Sequence, residues 1–319
     1  MTVILWIIAV LALLYLAFTF FLFYISFWRF EMGPKFSKFL NGPSKPDAAP
    51  DFSAPGYVQR VRESQKWLDT LPAESLQIQS FDGLKLRARL YKNPEAKAVM
   101  VACHGFHSSG VKDFGPAAAY YYGLGFSLLF IDQRACGDSE GRCATYGVLE
   151  SRDARAWCQL MADRYPGMPI LLAGVSLGSA TVMMASDNLP APVKAIIADC
   201  GFNSPYDQLA VVASRSVNFP AGIKFLLVGV DMWCRLLAHI RLKQWSSAQA
   251  LAKTTRPVLF IHGESDTLVP YTCTEQNMAA CASPHTLFSL PDAGHAVSFF
   301  CDPEGYKKAV GGFLNEYFF

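Results

Sequence analysis

The segment at residues 169–180 constrains the fold more than any other part of this chain. It is an apolar run of strand length, followed by Gly-Val-Ser-Leu-Gly and then by small and aliphatic residues that suit a helix. Gly-x-Ser-x-Gly between a strand and a helix is typical of a nucleophile elbow, a turn so tight that the serine backbone is strained. Gly174 and Gly178 remove the side chains that would collide as strand and helix approach, which leaves Ser176 at the tip. The alternative is a glycine-rich turn with an incidental serine.

Composition excludes several classes of function. The chain has 319 residues, enough for one large domain or two small ones, and its formal net charge of +2 does not indicate a nucleic-acid-binding surface. The nine cysteines are scattered, without a Cys-x-x-Cys pair or the Cys/His spacing of a zinc site, which favours reduced thiols and implies no metal. No glycine-rich phosphate-binding motif is present, so we expect no cofactor.

The N-terminal segment is the most apolar part of the chain. Residues 2–28 contain no charged side chain, and a helix of that length would reach roughly 40 Å, enough to cross a hydrocarbon layer of about 30 Å. Trp6 near one end, and Tyr24 and Trp28 near the other, suit the aromatic belts of membrane interfaces. We therefore expect a transmembrane anchor at residues 1–30 that contacts membrane lipid. A cleaved signal peptide is the alternative, but the run is too long and no basic residue precedes it.

Basic residues occur only on one side of this anchor. Arg29, Lys35, Lys38 and Lys45 follow it, and none precedes it. The positive-inside rule therefore predicts that the rest of the chain is cytoplasmic, and the free cysteines agree. A domain anchored on the outer cell surface is the alternative.

Residues 31–75 are predicted to be a linker and a short amphipathic helix. Proline, alanine, serine and glycine dominate residues 41–56, which favours a segment without regular structure. The helix is indicated by a 4-3-4-3 spacing of the residues on one face: Tyr57, Val61, Ser64, Leu68 and Leu71.

Residues 76–319 alternate between strand and helix patterns, as a mostly parallel sheet with helices on both faces requires. A Phe-Asp-Gly turn predicts an initial hairpin of strands 76–80 and 85–91. Further strands are predicted at 98–103, 127–131, 170–174, 193–199, 258–262 and 286–290. Helices are predicted near 114–124, 149–165, 177–188 and 303–317.

One insertion interrupts this alternation. Residues 201–256 separate two predicted strands by far more than an ordinary connection and predict a helical cap. Within it, residues 217–240 are rich in large apolar side chains. Lys224, Asp231 and Arg235 interrupt the run, so an apolar lid over a cleft is favoured over a second membrane span.

A serine hydroxyl needs a base to become nucleophilic, and the base needs an acid to orient it. After an elbow, the order along the chain is serine, acid, histidine. Asp266 and His295, which follow successive predicted strands, fit this order. A turn-capping aspartate and a surface-loop histidine are the structural alternatives. The rival carboxylates for the acid are Glu264, Asp199 and Asp292.

The predicted strand 98–103 runs into His104-Gly105-Phe106. The backbone N–H groups of Phe106 and Leu177 are candidates for an oxyanion hole, in which fixed donors stabilise the developing negative charge. His104 is expected to support this loop by hydrogen bonding rather than to act as a base.

Taken together, these motifs resemble the α/β-hydrolase-fold serine hydrolases, and in particular the bacterial membrane-anchored branch near the serine aminopeptidase-like and lysophospholipase-like hydrolases. The resemblance implies the α/β-hydrolase fold, with about eight strands and a cap. Many relatives have histidine where this chain has Cys136, which we expect to be a packed thiol. The matching segments are His104-Gly105, the eight residues 132–139, Gly174-Val175-Ser176-Leu177-Gly178, the five residues 262–266 and Gly294-His295.

The sequence thus predicts a membrane-anchored serine hydrolase with Ser176, Asp266 and His295 as its catalytic residues. The apolar cap favours an acyl or lipid-like ester as the small-molecule substrate. An amidase, a peptidase or a thioesterase would use the same residues, and a non-catalytic binding module on the same fold is a further alternative. A dehalogenase is disfavoured because it needs a carboxylate where Ser176 stands.

Overall fold

In the part of the chain that the structure describes, eight strands form one sheet in the order β1-β2-β4-β3-β5-β6-β7-β8. The hairpin β1–β2 is antiparallel, β2 pairs antiparallel with β4, and all the remaining pairs are parallel. The predicted mostly parallel sheet is confirmed. The strands are β1 (Ala73–Gln79), β2 (Lys85–Tyr91), β3 (Ala98–Cys103), β4 (Phe126–Ile131), β5 (Ile170–Val175), β6 (Val193–Asp199), β7 (Val258–Gly263) and β8 (His285–Leu290).

The computed structural model describes residues 2–29 and 55–319. The predicted linker at 41–56 lies outside these residues except for its last two positions, and Lys35, Lys38 and Lys45 also lie outside them. The helices are α1 (Thr2–Phe27), α2 (Pro55–Leu68), α3 (Gly110–Gly123), α4 (Glu150–Arg164), α5 (Leu177–Ala185), α6 (Pro205–Ser214), α7 (Pro220–Trp233), α8 (Ser247–Leu251), α9 (Thr272–Ala280), α10 (Ser298–Cys301) and α11 (Pro303–Tyr317).

The central strands are buried along their whole length, as expected for parallel strands covered on both faces. On one face, α2, α3 and α11 pack through Leu68, Phe114 and Val310. On the other face, α4 and α5 pack through Trp157 and Val182. The two cores hold the sheet rigid, so the loops at the carboxyl ends of the strands have a fixed base.

Local differences from the predicted elements have identifiable causes. Helix α3 begins four residues earlier than predicted because the Ser109 side chain caps it by accepting a hydrogen bond from the Lys112 N–H. Helix α2 ends at Leu68, short of the predicted periodicity, and Leu71 belongs to the turn that follows. Helices α9 and α10 were not predicted from the sequence.

The insertion at 201–256 is helical, as predicted, and contains α6, α7 and α8. A π-helical turn, Cys234–Ala238, continues α7. Within residues 2–29 and 55–319, α1 is the one helix long and apolar enough to cross a membrane, so the structure favours a lid over a second span at 217–240. The domain boundaries 1–30, 31–75 and 76–319 remain predictions.

Helix α1 packs against the cap helix α7. The Tyr15 hydroxyl donates to the Phe225 carbonyl at 2.7 Å, and the Trp233 indole N–H donates to Thr19 Oγ1 at 3.2 Å. A Cβ atom at Gly229 would lie 2.5 Å from the Thr19 side chain, so glycine permits this close approach.

The chain after α1 is also fixed to the part of the protein that contains the sheet. Trp28 forms a β-bridge with Cys143, and the Arg29 guanidinium donates to the carbonyls of Gly137 and Ser139 at 2.5 and 2.6 Å. Because Phe27 is fully buried, the last turn of α1 is part of the core beneath the cap.

Candidate active site

Ser176 lies between β5 and α5 with φ 55° and ψ −115°, a backbone conformation that residues other than glycine rarely adopt. A Cβ atom at Gly174 would lie 2.1 Å from the Gly178 carbonyl oxygen, and one at Gly178 would lie 1.8 Å from the Cys103 carbonyl oxygen. The structure therefore has the strained turn and the two required glycines that the sequence predicted. The Ser176 side chain at the tip of this turn is half-buried.

The structure brings Ser176, His295 and Asp266 together, although they are far apart in the chain. His295 Nε2 lies 2.8 Å from Ser176 Oγ, and His295 Nδ1 lies 2.6 Å from Asp266 Oδ2. Because a carboxylate only accepts, the imidazole hydrogen is assigned to Nδ1, which leaves Nε2 able to accept the serine proton. This is the arrangement that a serine nucleophile and its base need.

Asp266 is held as a carboxylate by its surroundings. Burial alone would raise the pKa of this carboxyl, but the adjacent His295 and His262 rings outweigh burial and hold the pKa well below its usual range. Its Oδ1 atom accepts the backbone N–H groups of Leu268 and Val269 at 2.7 and 2.9 Å. The carboxylate is therefore ionised and fixed in orientation.

His262 is a second histidine beside this acid, and the sequence did not assign it a role. Its Nδ1 atom lies 2.6 Å from Thr274 Oγ1, while its Nε2 atom lies 3.0 Å from the Val269 carbonyl and 3.3 Å from Asp266 Oδ2. Two acceptors at Nε2 assign the hydrogen to that atom, so the ring supports the same Asp266 oxygen that His295 contacts. Only its place in the motif at 262–266 could have indicated this.

The rival carboxylates have other partners. Glu264 accepts a hydrogen bond from the Ser289 hydroxyl at 2.7 Å, and Asp292 is exposed. Asp199 is buried at the end of β6, and its backbone carbonyl accepts the Ser176 N–H at 2.8 Å. Asp266 is the carboxylate that bonds His295.

The Asp199 side chain is buried and lies on a small cavity. Burial raises the pKa of this carboxyl to about 7, with His262 lowering it and Asp266 raising it further. Its Oδ1 atom has no hydrogen-bond partner among residues 2–29 and 55–319. It lines a cavity of about 20 Å³, room for about one water molecule, together with Asp113, Tyr57 and Tyr306.

The loop after β3 lies directly opposite the serine. A Cβ atom at Gly105 would lie 3.4 Å from Ser176 Cβ, so glycine keeps this approach open. His104 Nε2 accepts the Gln133 N–H at 3.2 Å, which assigns the hydrogen to Nδ1, 2.7 Å from the Gly105 carbonyl. The buried His104 ring thus hydrogen-bonds to the backbone of this loop and to Gln133.

Two further residues that the sequence did not identify hold this loop. Gly105 N–H donates to Asp113 Oδ2 at 2.6 Å, and the Ser108 hydroxyl donates to Asp113 Oδ1 at 2.5 Å. Burial raises the pKa of the Asp113 carboxyl, and these hydrogen bonds partly offset that rise. Gln133 donates to the His104 carbonyl at 2.5 Å and accepts the Thr181 hydroxyl at 2.9 Å. An acidic residue in the first turn of α3 was the available signal.

The predicted oxyanion donors lie on the two elements that meet at Ser176. Leu177 is the first residue of α5, and an N–H group in the first turn of a helix has no acceptor within that helix. Phe106 follows Gly105 in the loop described above. Their backbone N–H groups are thus candidates for binding a substrate oxygen.

Aromatic rings form a wall beside the serine. The Phe106 ring lies 5.6 Å from that of Tyr146, which lies 5.8 Å from Phe202 and 5.0 Å from Phe27. These side chains belong to one apolar cluster that also contains Leu177. The wall therefore joins α1, the cap and the loop opposite the serine.

The neighbouring cysteines are protonated thiols. Cys136 is buried, as expected, and burial raises its pKa to about 12. Cys200 Sγ lies 3.9 Å from His295 Nε2, and burial raises the pKa of this thiol well above its usual value. Cys200, Asp266 and His295 are close enough to hold a metal ion, but the last two already bond each other, which suits a base and its acid better.

Comparison with known proteins places this geometry in context. The family model described as serine aminopeptidase, S33, matches residues 94–217. Two similar proteins are YqkD of Bacillus subtilis (strain 168), 27% identical over 68% of this chain and 70% of its own length, and the α/β-hydrolase domain-containing protein WAV2 of Arabidopsis thaliana, 25% identical over 76% and 79%.

Solved structures share the fold. The Pyrococcus furiosus esterase Pf2001 superimposes with a TM-score of 0.62 at 22% identity, covering 79% of this chain and 93% of the esterase. Est1E of Butyrivibrio proteoclasticus, solved with ferulic acid bound, gives a TM-score of 0.56 at 21% identity, covering 76% and 98%. The architecture of this chain is thus that of solved esterases.

Proposed function

We propose that this chain, which has the α/β-hydrolase fold, is a membrane-anchored serine hydrolase that cleaves carboxylic esters through an acyl-serine intermediate. The observation that carries the proposal is the pair of hydrogen bonds that join Ser176 to His295 at 2.8 Å and His295 to Asp266 at 2.6 Å. Only the assigned tautomer of His295 can accept the serine proton while remaining bonded to Asp266.

In the first step, Ser176 Oγ forms a bond to the ester carbonyl carbon while its proton passes to His295 Nε2. The carbonyl oxygen takes up the negative charge and accepts hydrogen bonds from the N–H groups of Phe106 and Leu177. The ionised Asp266 stabilises the imidazolium. When the tetrahedral intermediate collapses, the bond to the leaving alkoxide breaks and His295 returns the proton to it.

In the second step, water attacks the acyl-serine carbonyl and gives a proton to the same His295 nitrogen. Collapse of the second intermediate breaks the bond to Ser176, which regains its proton, and the carboxylic acid leaves. His104, Gly105 and Asp113 position the donor loop through both steps, because they fix its backbone by hydrogen bonds.

The apolar wall supports an acyl or lipid-like substrate. Phe106, Tyr146 and Phe202 lie beside the serine and offer no charge to a bound chain. The esterase structures that share the fold support an ester as the bond cleaved. Burial of an acyl chain against this wall would supply binding energy at about 0.8 kcal/mol per methylene group.

The membrane anchor in this proposal is α1. Its length and composition suit a span, and Phe23 and Phe27 are fully buried against the cap. A cleaved signal peptide would uncover those contacts, which supports a retained helix. With Arg29 after the span, we propose a cytoplasmic hydrolase domain; an extracellular one is the alternative.

Labelling by a fluorophosphonate probe, followed by in-gel fluorescence, tests the nucleophile. The full-length protein in detergent should label, Ser176→Ala should not, and Ser216→Ala, on an exposed connection in the cap, should label like the wild type. Labelling of Ser176→Ala would assign the nucleophile elsewhere, and no labelling of the wild type would favour a binding module.

A second candidate function, peptide hydrolysis, is favoured by the description of the matching family model. Turnover of p-nitrophenyl esters of increasing chain length, compared with aminoacyl p-nitroanilides, separates the two. We expect ester turnover that rises with acyl length. Faster turnover of the anilides than of the esters would assign the protein as a peptidase instead of an esterase. Turnover of an acyl-thioester with the same acyl group would test whether it is a thioesterase.

A further inference from the structure

Helices α1 and α7 run in the same direction with a constant register. Tyr15 contacts Phe225 and Thr19 contacts Gly229, both with an offset of 210 residues. One turn further along, Trp233 reaches back to Thr19 and packs on Phe20 with ring centroids 5.1 Å apart. Each position along α1 therefore corresponds to a known position on α7, and Pro220, where α7 begins, lies beside about residue 10 of α1.

The part of α1 that precedes its contacts with α7 is too short to span a membrane by itself. Residues 2–14 precede the first contact with α7, and at about 1.5 Å per residue they reach only about 20 Å. A span of about 30 Å needs about 20 residues, that is, α1 to about residue 21. The additional residues, from Tyr15 onward, are those that pack on α7. If α1 crosses the membrane in this docked position, the first turns of α7 enter the hydrocarbon beside it.

The outer surface of α7 suits that environment. We define the cap ridge as Phe219, Phe225 and Val228, whose side chains are 65%, 60% and 67% exposed. Lys224 is the charged residue within the same turns, and its long aliphatic stem adds apolar surface to this face of α7. An apolar surface this exposed, adjacent to a membrane-spanning helix, is typical of contact with lipid rather than water.

Polar and aromatic residues define where the ridge ends. By the same register, Trp233 on α7 lies at the level of about residue 23 of α1, next to Tyr24 and about one turn before Trp28. An ion pair between Arg235 and Asp231 occupies the same end of α7. Trp and Tyr prefer the membrane interface and ion pairs prefer water, so this level matches the headgroup region.

We infer that the cap ridge is embedded in the membrane beside α1, so that the cap as well as α1 contacts acyl chains. The inference rests on the membrane anchoring in the proposed function, but not on the reaction. It commits to a lipid bilayer as the partner of this surface because the ridge is continuous with the exposed side of α1, where Val3 to Leu14 present large apolar side chains.

Depth-dependent quenching of a fluorophore tests the inference. The full-length protein carries Cys281→Ser and Cys301→Ser, because these two cysteines are the ones not buried. A single cysteine is then introduced, labelled with an environment-sensitive nitrobenzoxadiazole dye in detergent, and reconstituted into phosphatidylcholine vesicles with or without acyl-chain bromine atoms. The test site is Val228→Cys, the anchor reference is Leu11→Cys, and the matched exposed control is Glu304→Cys on α11.

We expect brominated lipid to quench the dye at Val228 and at Leu11, and to leave the dye at Glu304 unchanged. Quenching at Leu11 but not at Val228 would overturn the inference while the anchor stands. Quenching at neither position would overturn the anchor as well, without bearing on the hydrolase chemistry. The dye at Val228 could instead have blue-shifted emission that brominated lipid does not quench and that changes with the protein-to-lipid ratio. That result would assign the ridge to contact with a second copy of the chain, which also overturns the inference.

Discussion

Phe27, in the last turn of the N-terminal helix, packs on Tyr146 with ring centroids 5.0 Å apart, and Tyr146 packs on Phe106 at 5.6 Å. Two aromatic contacts thus join the helix proposed to cross the membrane to a residue proposed to hold the oxyanion. The N-terminal helix is therefore a structural part of the candidate site rather than a separable tether.

Phe27→Ala tests this coupling. Removing a fully buried phenylalanine should cost about 3–5 kcal/mol of unfolding free energy, and it should lower kcat because the Phe106 loop loses its support. Thermal unfolding in detergent and ester turnover measure the two effects. Phe18→Ala, on the exposed side of the same helix, is the matched control and should change neither. Equal melting temperatures for the two variants would contradict the coupling.

Asp266→Asn tests the acid. An asparagine amide in place of the carboxylate donates to Nδ1 of His295 and so favours the tautomer with its hydrogen on Nε2, which cannot accept the serine proton. We expect kcat to fall by about 10²–10⁴-fold. Asp292→Asn, the exposed rival carboxylate nearby in sequence, should retain wild-type turnover. A similar loss in both variants would reject the assignment of the acid.

The pH dependence of the wild type should follow from the same carboxyl group. Because His295 and His262 hold the pKa of Asp266 well below its usual range, Asp266 stays ionised wherever the protein is folded at mildly acidic pH. The acid limb of kcat/KM against pH should therefore contain no contribution from protonation of Asp266, and its slope should not exceed one proton. A slope of two protons in the wild type would contradict the ionised state of Asp266.

Asp113 is expected to act as a positioning residue. Asp113→Ala removes the acceptor of the Gly105 N–H and should lower kcat by up to about 10²-fold with little change in KM, since the donor loop would bind the transition state less well. Asp113→Asn should restore much of the rate because its amide oxygen can still accept that N–H. If Ala and Asn variants lose activity equally, or if KM alone changes, the positioning role is excluded.

Asp199→Asn should change how stability depends on pH. The pKa of Asp199 is raised in the folded protein from 3.8 to about 7 by burial, so between these values the native state keeps a proton that the unfolded chain has lost. The free energy of unfolding therefore falls as pH rises through this window, by up to a few kcal/mol. The asparagine variant cannot titrate there and should lose less stability between pH 5 and pH 8.

Urea unfolding at pH 5 and pH 8 measures this change in the free energy of unfolding for the wild type and for Asp199→Asn. Asp163→Asn, at an exposed position on α4, is the matched control and should keep the wild-type dependence. An Asp199→Asn variant with the same pH dependence as the wild type would show that this carboxyl is ionised in the native state throughout.

The sequence predicted what local patterns and chain order determine. The strands could be predicted because parallel strands in a covered sheet are continuously apolar, and Ser176 because its turn requires two glycines at fixed spacing. Asp266 and His295 could be named because strand ends of a parallel sheet meet at one edge. In each case the information lies within a few residues or in the order of elements.

Other features depend on contacts between distant segments, which no local pattern encodes. Nothing near Gly229 indicates that it must accommodate Thr19, 210 residues earlier. The roles of Asp113 and His262 depend on which atoms face Gly105 and Asp266, and this is set by helix and loop geometry. Helix α9 was missed because its face toward the sheet is mixed in polarity, with Cys273, Thr274 and Asn277 buried.

The backbone of Ser176 also bears on how such a site evolves. A residue other than glycine at φ 55° and ψ −115° costs on the order of 1–3 kcal/mol, whether or not its hydroxyl ever reacts. Glycine at this position would remove that conformational cost. In a lineage that is no longer selected for turnover, the gain in stability would therefore favour a Ser176→Gly replacement. A serine kept here carries a thermodynamic disadvantage that only its chemistry would offset.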